Sequence, residues 1–518
     1  MNDTTRFHDL AFRTDAEVDA ICRAVGDSRL YNDDLAPAGP RRRTWNTWHI
    51  LAMWLGMSVV LTTYTLASGL MAAGMNWWQA LLTVGIANII VLLPMLLNAH
   101  VGVRYGIPFP VFVRSSFGIA GANVAALARA VVACGWFGIQ TWLGGLAVSG
   151  IAAVLWPGWS TLGGHDFIAF FIFWALQMAI IFRGMEGIKR FESWAALLLI
   201  LVGVWLLYWG ISAGHGIGHV LQTSASMMGE PKHTFWQLFW PGLAANVGYW
   251  ATLSLNIPDF TRFARSQRSQ VIGQAIGLPV TMIIYSFIGI ATTAATVVVF
   301  GKPVWNPVDL VPMITQNPVI LIIAMLLILV AQISTNMAAN VVAPSNDFSN
   351  VAPRLISFRT GGLITGVIGV LMFPWALFDN AGAYIFTWLG GYGSLLGAIA
   401  GVMIADYWLV RRRRLDIVDL YRDAGQYPRW NAIAFVAMAV AVVPVVPGFI
   451  AAATTPGGVV DDPDFIDRLY TYGWFFTFCV ALVAYWLLAK LRSAPSASTT
   501  TRAAAAPPVA RAAAESLD

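Results

Sequence analysis

An all-α polytopic membrane protein of about twelve transmembrane helices is the fold class that this chain predicts, on three observations. Hydrophobic residues make up 58% of the 518 and charged residues only 11%, whereas soluble domains carry about 25% charge. Apolar stretches of roughly 20 residues, the length that crosses a bilayer, begin near His49, Gln79, Asn123, Asp166, Phe191, Phe235, Val271, Pro318, Gly361, Gly382, Trp430 and Tyr470. With twelve spans, every basic cluster falls on one side of the membrane, as the positive-inside rule requires.

Those clusters are Arg41 to Arg43, Arg104 with Arg114, Arg183 with Lys189 and Arg190, and Arg262 with Arg265 and Arg268. Arg354 with Arg359, Arg411 to Arg414, and Lys490 with Arg492 complete the set. The opposite loops hold only Lys232, Lys302 and Arg468, beside an acidic group at Asp461, Asp462, Asp464 and Asp467. Both termini are therefore expected in the cytoplasm and the chain in the inner (plasma) membrane, with the lipid bilayer as a partner. The net charge of +5 belongs to this asymmetry, and no nucleic-acid partner is expected. The 23 tryptophans suit membrane interfaces or a lined pocket.

Residues 1–40 are polar and mixed in charge, without the apolar core of a signal peptide, and read as a cytoplasmic segment. Residues 493–518 are rich in Ala, Pro, Ser and Thr and read as a disordered cytoplasmic tail. Cys22, Cys134 and Cys479 match no metal or redox spacing and are taken as packing residues.

Two spans carry the marks of interruption. In lipid, backbone groups must bond within their own helix, so irregular backbone is tolerated only beside protein or a cavity. Transporters place such breaks in matching helices of two inverted repeats. In span one, Trp54, Gly56, Ser58, Thr62, Thr63 and Tyr64 put small and β-branched residues mid-membrane. In span six, Gly242, Asn246, Gly248, Tyr249, Trp250 and Thr252 do the same. Close helix packing through glycine is the competing explanation.

Polar residues inside spans are costly and usually functional. In span three, Trp136 and Gln140 lie four apart, hence on one helix face. An indole face stacks on a flat heterocycle, and a glutamine amide offers both donor and acceptor to a ring's amide edge. Trp250 offers a second stacking surface. In span eight, Ala331, Ser334 and Thr335 share a face; two hydroxyls with backbone carbonyls make a hard-oxygen site suited to sodium. Bonding of Ser and Thr to their own helix is the commoner state. Asn340, nine residues past Ala331, points away from that face on an ideal helix. Glu186, Asp259, Asp347 and Asp406 lie near expected membrane edges, and no paired carboxylates, metal-spaced set, phosphate loop or nucleophile motif sits within the spans. An enzyme is not expected.

At these residues the chain resembles the nucleobase:cation symporter-1 family. The resemblance rests on Tyr105-Gly-Ile-Pro-Phe-Pro-Val, Arg114-Ser-Ser-Phe-Gly118, Gly135-Trp-Phe-Gly-Ile-Gln-Thr-Trp142 and Ala251-Thr-Leu-Ser-Leu-Asn-Ile-Pro-Asp-Phe-Thr-Arg262. Ser334-Thr-Asn-Met-Ala-Ala-Asn340 and Ala405-Asp-Tyr-Trp-Leu-Val-Arg411 extend it over roughly residues 40 to 425. Span one is most similar to the allantoin and plastid-type nucleobase branches. The resemblance implies a LeuT-like fold, with inverted repeats at residues 41–212 (spans one to five) and 213–412 (spans six to ten), then spans eleven and twelve in 413–492. It implies a substrate stacked between Trp136 and Trp250 and hydrogen-bonded by Gln140 and Asn340, with Tyr249, Val60 and Leu389 completing the binding set. It implies sodium held by carbonyls near Gly56 and Val59 with Ala331, Ser334 and Thr335. Val60 or Leu61 stands where the hydantoin transporter and several relatives carry an amide, and Tyr249 where the hydantoin transporter has glycine; both changes touch substrate choice, so hydantoin specificity is not assumed.

The expected function is cation-coupled import of a planar, amide-bearing N-heterocycle such as allantoin, uracil, cytosine or a purine. The substrate is a small molecule, the coupling ion is sodium with protons as the alternative, and no cofactor is expected. A vitamin precursor or an amino acid on the same fold is the runner-up, and an ion channel the reading from another class.

Overall fold

The computed structural model describes residues 10–183, 185–227 and 233–493. The side chains of Glu186, Lys189 and Arg190 fall outside the described residues, as do Lys232 and the 494–518 portion of the expected tail. Among the described residues the structure is helical, its one extended pairing a parallel bridge between Trp45 and Ala264.

Eight helices are long and apolar enough to cross a bilayer, and up to ten spans result if two bent pairs each count as one. Twelve is not confirmed as a count, although each of the twelve expected segments is helical. The two shortfalls have a physical cause. Span six is divided into Phe235–Tyr249 and Ala251–Asn256. Span nine, Phe358–Leu371, has 14 residues, about 21 Å at 1.5 Å per residue, short of a hydrocarbon core of about 30 Å.

Span one begins at a capping box, where the Asn46 side chain accepts from the His49 N–H at 3.1 Å. Thr47–Ser58 and Leu61–Ala72 are then bent by 56° about Val59 and Val60. Val60 is extended, at φ −141° and ψ 155°, a conformation that β-branched side chains favour. Two expected helical bonds are diverted at this point. The Val60 N–H bonds Ser58 O instead of Gly56 O, and the Thr63 N–H bonds Val60 O instead of Val59 O. The carbonyls of Gly56 and Val59 thus leave the ladder. Span six breaks at Trp250, whose φ −98° and ψ 6° lie in the sparsely populated bridge region. Both expected interruptions are therefore present.

Span eight, Pro318–Asn340, ends one residue before an irregular Val341, and Val342–Val351 continues beyond it. In span ten, π-helical turns at Ala383–Leu389 and Ala405–Val410 flank Gly390–Ile404. Spans six and ten touch backbone to backbone: a Cβ on Gly393 would lie 2.8 Å from the Gly248 Cα, and one on Gly248 only 2.7 Å from Leu389 O. Only glycine permits that approach. Spans eleven and twelve, Ala432–Thr454 and Gly473–Arg492, complete the chain; span twelve packs along span ten.

Arginines from three of the basic clusters converge on residues 27–34. Arg114 donates to Leu30 O at 3.1 Å, Arg262 to Asp34 O at 3.0 Å and Arg354 to Asp27 O at 2.6 Å. The Tyr421 hydroxyl donates to Leu35 O at 2.6 Å, and Arg29 pairs with Asp423 at 2.6 Å. The Arg29 guanidinium holds the Asp423 carboxyl below its ordinary range. Among the loops expected on the other side, His233 lies 3.4 Å from Asp461. The cysteine expectation needs correction: Cys134 is buried, but Cys22 is half-buried and Cys479 is exposed, because Cys479 sits on the outer face of span twelve.

Candidate substrate site

The two breaks and span three meet at a small cavity of about 30 Å³. Its lining includes Val60, Trp136, Gln140, Tyr249, Trp250 and Asn340, together with Met57, Thr62, Thr252 and Thr335. Six of the seven expected substrate contacts are thus brought together. Leu389 is the exception: it is buried, but its carbonyl backs onto Gly248 instead of lining the cavity. The cavity is far below the roughly 300 Å³ of a typical small-molecule pocket, so the walls are contracted onto one another.

Each indole is oriented by a partner. The Trp250 Nε1–H donates to Asn88 Oδ1 at 2.8 Å, which fixes its ring against span two. Trp54 packs edge-on against Trp250 at 5.1 Å. The Trp136 Nε1–H donates to the Tyr392 hydroxyl at 3.1 Å, and that hydroxyl donates to the Tyr249 carbonyl at 3.4 Å. Spans three, ten and six are joined by this short chain. Tyr249, not an empty slot, stands next to both tryptophans, with ring centroids 5.2 Å from Trp136 and 4.9 Å from Trp250.

Gln140 lies on the Trp136 face of span three, as the spacing predicts, and its Oε1 is buried without a hydrogen-bond partner. A buried orphan acceptor costs about 1–3 kcal/mol, and this oxygen is available to a donor placed in the cavity. Asn340, the last residue of its helix, lines the cavity with Thr335 and Ala339. Its Nδ2 donates to Asn336 Oδ1 at 2.9 Å. Asn336 in turn donates to Gln177 Oε1 at 2.8 Å and Thr141 Oγ1 at 3.2 Å. That relay aligns the Asn340 amide from behind.

The expected cation ligands come from helices in contact, Thr47–Ser58 and Pro318–Asn340. Ala331, Ser334 and Thr335 are buried on span eight, and Thr335 also lines the cavity. On the span-one side the Gly56 and Val59 carbonyls leave the helical ladder, and the buried Ser58 Oγ has no hydrogen-bond partner. Neutral hard-oxygen donors of this kind suit a monovalent cation.

Several residues here escaped sequence reasoning. Asn88 and Tyr392 support the aromatic cluster, as do Thr62 and Thr63, which the sequence marked only for the span-one break; Arg129 forms a fully buried ion pair with Asp347 at 3.4 Å. A lone arginine inside apolar span three was a legible signal. Asp259, Asp347 and Asp406, expected near membrane edges, are all buried within the protein. Asp259 accepts from the Phe109 N–H at 2.7 Å, and Asp406 is held by Arg411 and the Tyr485 hydroxyl, both at 2.7 Å.

Residues 37–476 match the family model described as permease for cytosine/purines, uracil, thiamine, allantoin. A purine-uracil permease of Arabidopsis thaliana is 41% identical, covering 89% of this chain and 78% of its own. An allantoin permease of Bacillus subtilis is 39% identical over 80% of this chain and 85% of its own. The solved structure of Mhp1, a nucleobase-cation-symport-1 family transporter in a closed conformation with bromovinylhydantoin bound, superposes with a TM-score of 0.71 at 28% identity. It covers 89% of this chain and 96% of its own. A Na+-coupled sialic acid symporter, 14% identical, shares the fold at a TM-score of 0.60 over 94% of this chain and 97% of its own. With the broken helices, the aromatic cluster and these matches in one frame, the chain belongs to the nucleobase:cation symporter-1 family, an integral-membrane family of permeases for cytosine and purines, uracil, thiamine and allantoin, built on a LeuT-like fold.

Proposed function

We propose that this chain is a secondary active transporter importing a planar, amide-bearing N-heterocycle together with a monovalent cation, sodium, across the inner membrane. The observation that carries the reading is the orphaned Gln140 Oε1 beside Trp136, in a cavity bounded by both helix breaks. A ring N–H satisfies that acceptor, the indole stacks on the ring, and the braced Asn340 amide bonds a second polar edge. Sodium lies at the Gly56 and Val59 carbonyls with Ala331, Ser334 and Thr335. The names of the relatives, a purine-uracil permease and an allantoin permease, support this substrate class. The one-sided basic clusters support cytoplasmic termini.

Transport follows from the connections between helices. Substrate and cation each pull the broken halves of spans one and six against spans three and eight, and so favour an occluded form. Rocking of one bundle against the other then opens the site inward. The test is thermal stabilisation of the purified protein by a heterocycle panel in sodium or in potassium, alongside uptake into vesicles. Heterocycle-specific stabilisation that is stronger in sodium is expected. Stabilisation by no heterocycle overturns the substrate class, and equal effects in the two salts remove sodium.

A further inference from the structure

Span three leads out of the substrate site into a second space. Beyond Gln140 it carries Trp142 and Leu146, which border a separate cavity of about 740 Å³. Trp142 follows Trp136 by about 9 Å along the helix axis, at 1.5 Å per residue. The basic pair Arg104 and Arg114 precedes span three, so the proposed topology puts this cavity at the outer mouth. The two cavities share no lining residue. The outer volume falls within the roughly 300–1,000 Å³ of small-molecule sites, whereas the contracted central cavity of about 30 Å³ has no room for a ring.

The outer walls suit a flat ring with N–H groups. Trp142, Phe167 and Trp375 form an aromatic corner, with centroids 5.0 to 6.2 Å apart. Trp305 and Phe378 make a second aromatic pair at 5.0 Å. The carboxylates of Asp166, Asp309 and Asp379 line the same space, and among the described residues no lysine or arginine does. Asp309 is steadied by the Asn306 amide, which donates to its Oδ2 at 3.0 Å. Aromatic faces stack on a planar ligand, and carboxylates take its N–H groups in charge-assisted bonds.

One ring separates this lining from the central tryptophan. Tyr384 stacks on Trp305 at 21° and 6.4 Å, packs against Phe378 at 5.0 Å and meets Trp136 edge-on at 6.0 Å. Its hydroxyl donates to the Thr62 carbonyl at 3.2 Å, and Ser68 Oγ donates to the Trp305 carbonyl at 2.8 Å. The partition is therefore tied to the second half of span one.

We propose that the outer cavity is a second binding site for the planar, N–H-bearing heterocycle, filled while the central site is closed. The proposal rests on the heterocycle reading of the central site. A ring stacks in the corner of Trp142 and Trp375 and donates an N–H to Asp309. Its passage inward requires the Tyr384 ring to move.

The experiment counts ligand bound per chain. Uracil, allantoin and hypoxanthine are screened by thermal shift on purified full-length protein in lipid nanodiscs, and each that binds is measured, radiolabelled, by equilibrium dialysis. Wild type should bind two equivalents. Gln140→Leu should weaken the central equivalent and keep the outer one. Trp375→Ala with Asp309→Asn should weaken the outer equivalent by about tenfold or more and leave the central affinity unchanged. Asp309→Asn alone should act in the same direction and serves if the double variant fails to fold. A single equivalent in wild type that Gln140→Leu removes overturns the outer site and leaves the heterocycle reading standing. Two equivalents that the Trp375 and Asp309 variants leave untouched also overturn it. If no probe binds wild type, the heterocycle reading itself fails and the outer site falls with it.

Discussion

Gln140→Leu separates what the amide costs the empty protein from what it gives to binding. The substitution nearly preserves shape, and removes a buried Oε1 that has no partner. An orphan acceptor of this kind destabilises by about 1–3 kcal/mol, so the ligand-free variant should be more stable than wild type by up to that amount. The same acceptor pairs with a ring N–H when substrate is bound, and its loss should weaken binding by about 1–3 kcal/mol, roughly 5- to 150-fold. Melting of purified protein with and without uracil or hydantoin reads both effects. The expected pattern is a higher melting temperature without ligand and a smaller or absent shift with it. A lower melting temperature without ligand means that Gln140 is a structural partner, and an undiminished ligand shift means that it does not touch substrate. Either result refutes the reasoning.

Arg129→Ala or Asp347→Ala strands a fully buried charge and should destabilise by about 3–5 kcal/mol. The double change to Leu at both positions should recover most of that loss, as measured by thermal unfolding. Ser334→Ala with Thr335→Ala should raise the sodium concentration for half-maximal uptake while leaving heterocycle binding at saturating sodium; an unchanged sodium requirement removes these hydroxyls from the ion site. Asn88→Ala frees the Trp250 indole N–H and should weaken substrate binding several-fold without preventing membrane insertion, checked by competition binding on purified protein.

Much of this architecture can be read from the chain because its causes are local. Valines 59 and 60 beside Gly56 and Ser58 disfavour a continuous helix, and the break falls among them. Trp136 and Gln140 share a face by helical spacing alone. Asn340 was not legible in that way, since spacing put it off the Ala331 face and only the packing of span eight shows that its own face borders the cavity. Leu389 shows the same limit: its position is set by the contact of Gly248 with span ten, a long-range packing event. The position of Tyr249 depends on a hydroxyl reaching threonines 186 and 187 residues earlier, and pattern in one helix cannot report that. The span count fell short for a simpler reason. Hydropathy marks segments, while the span six break and the 14-residue span nine concern how those segments are built.

The proposed ion and substrate sites are joined through a single stretch of backbone. At Val59 and Val60 the chain turns two carbonyls out of the ladder on one side. On the other it begins the turn whose Thr62 and Thr63 hold the Tyr249 hydroxyl. A cation that draws the Gly56 and Val59 carbonyls toward span eight must shift that turn, and with it the phenol ring standing between the tryptophans. Substrate that presses on the phenol must likewise move the carbonyls. Coupling of this kind is reciprocal by thermodynamic necessity, with a typical size of about 1–3 kcal/mol. The hydroxyl bonds are the physical link, so Tyr249→Phe should bind both partners yet lose part of the sodium dependence of heterocycle affinity. Full sodium dependence in that variant would show that the coupling runs by another route.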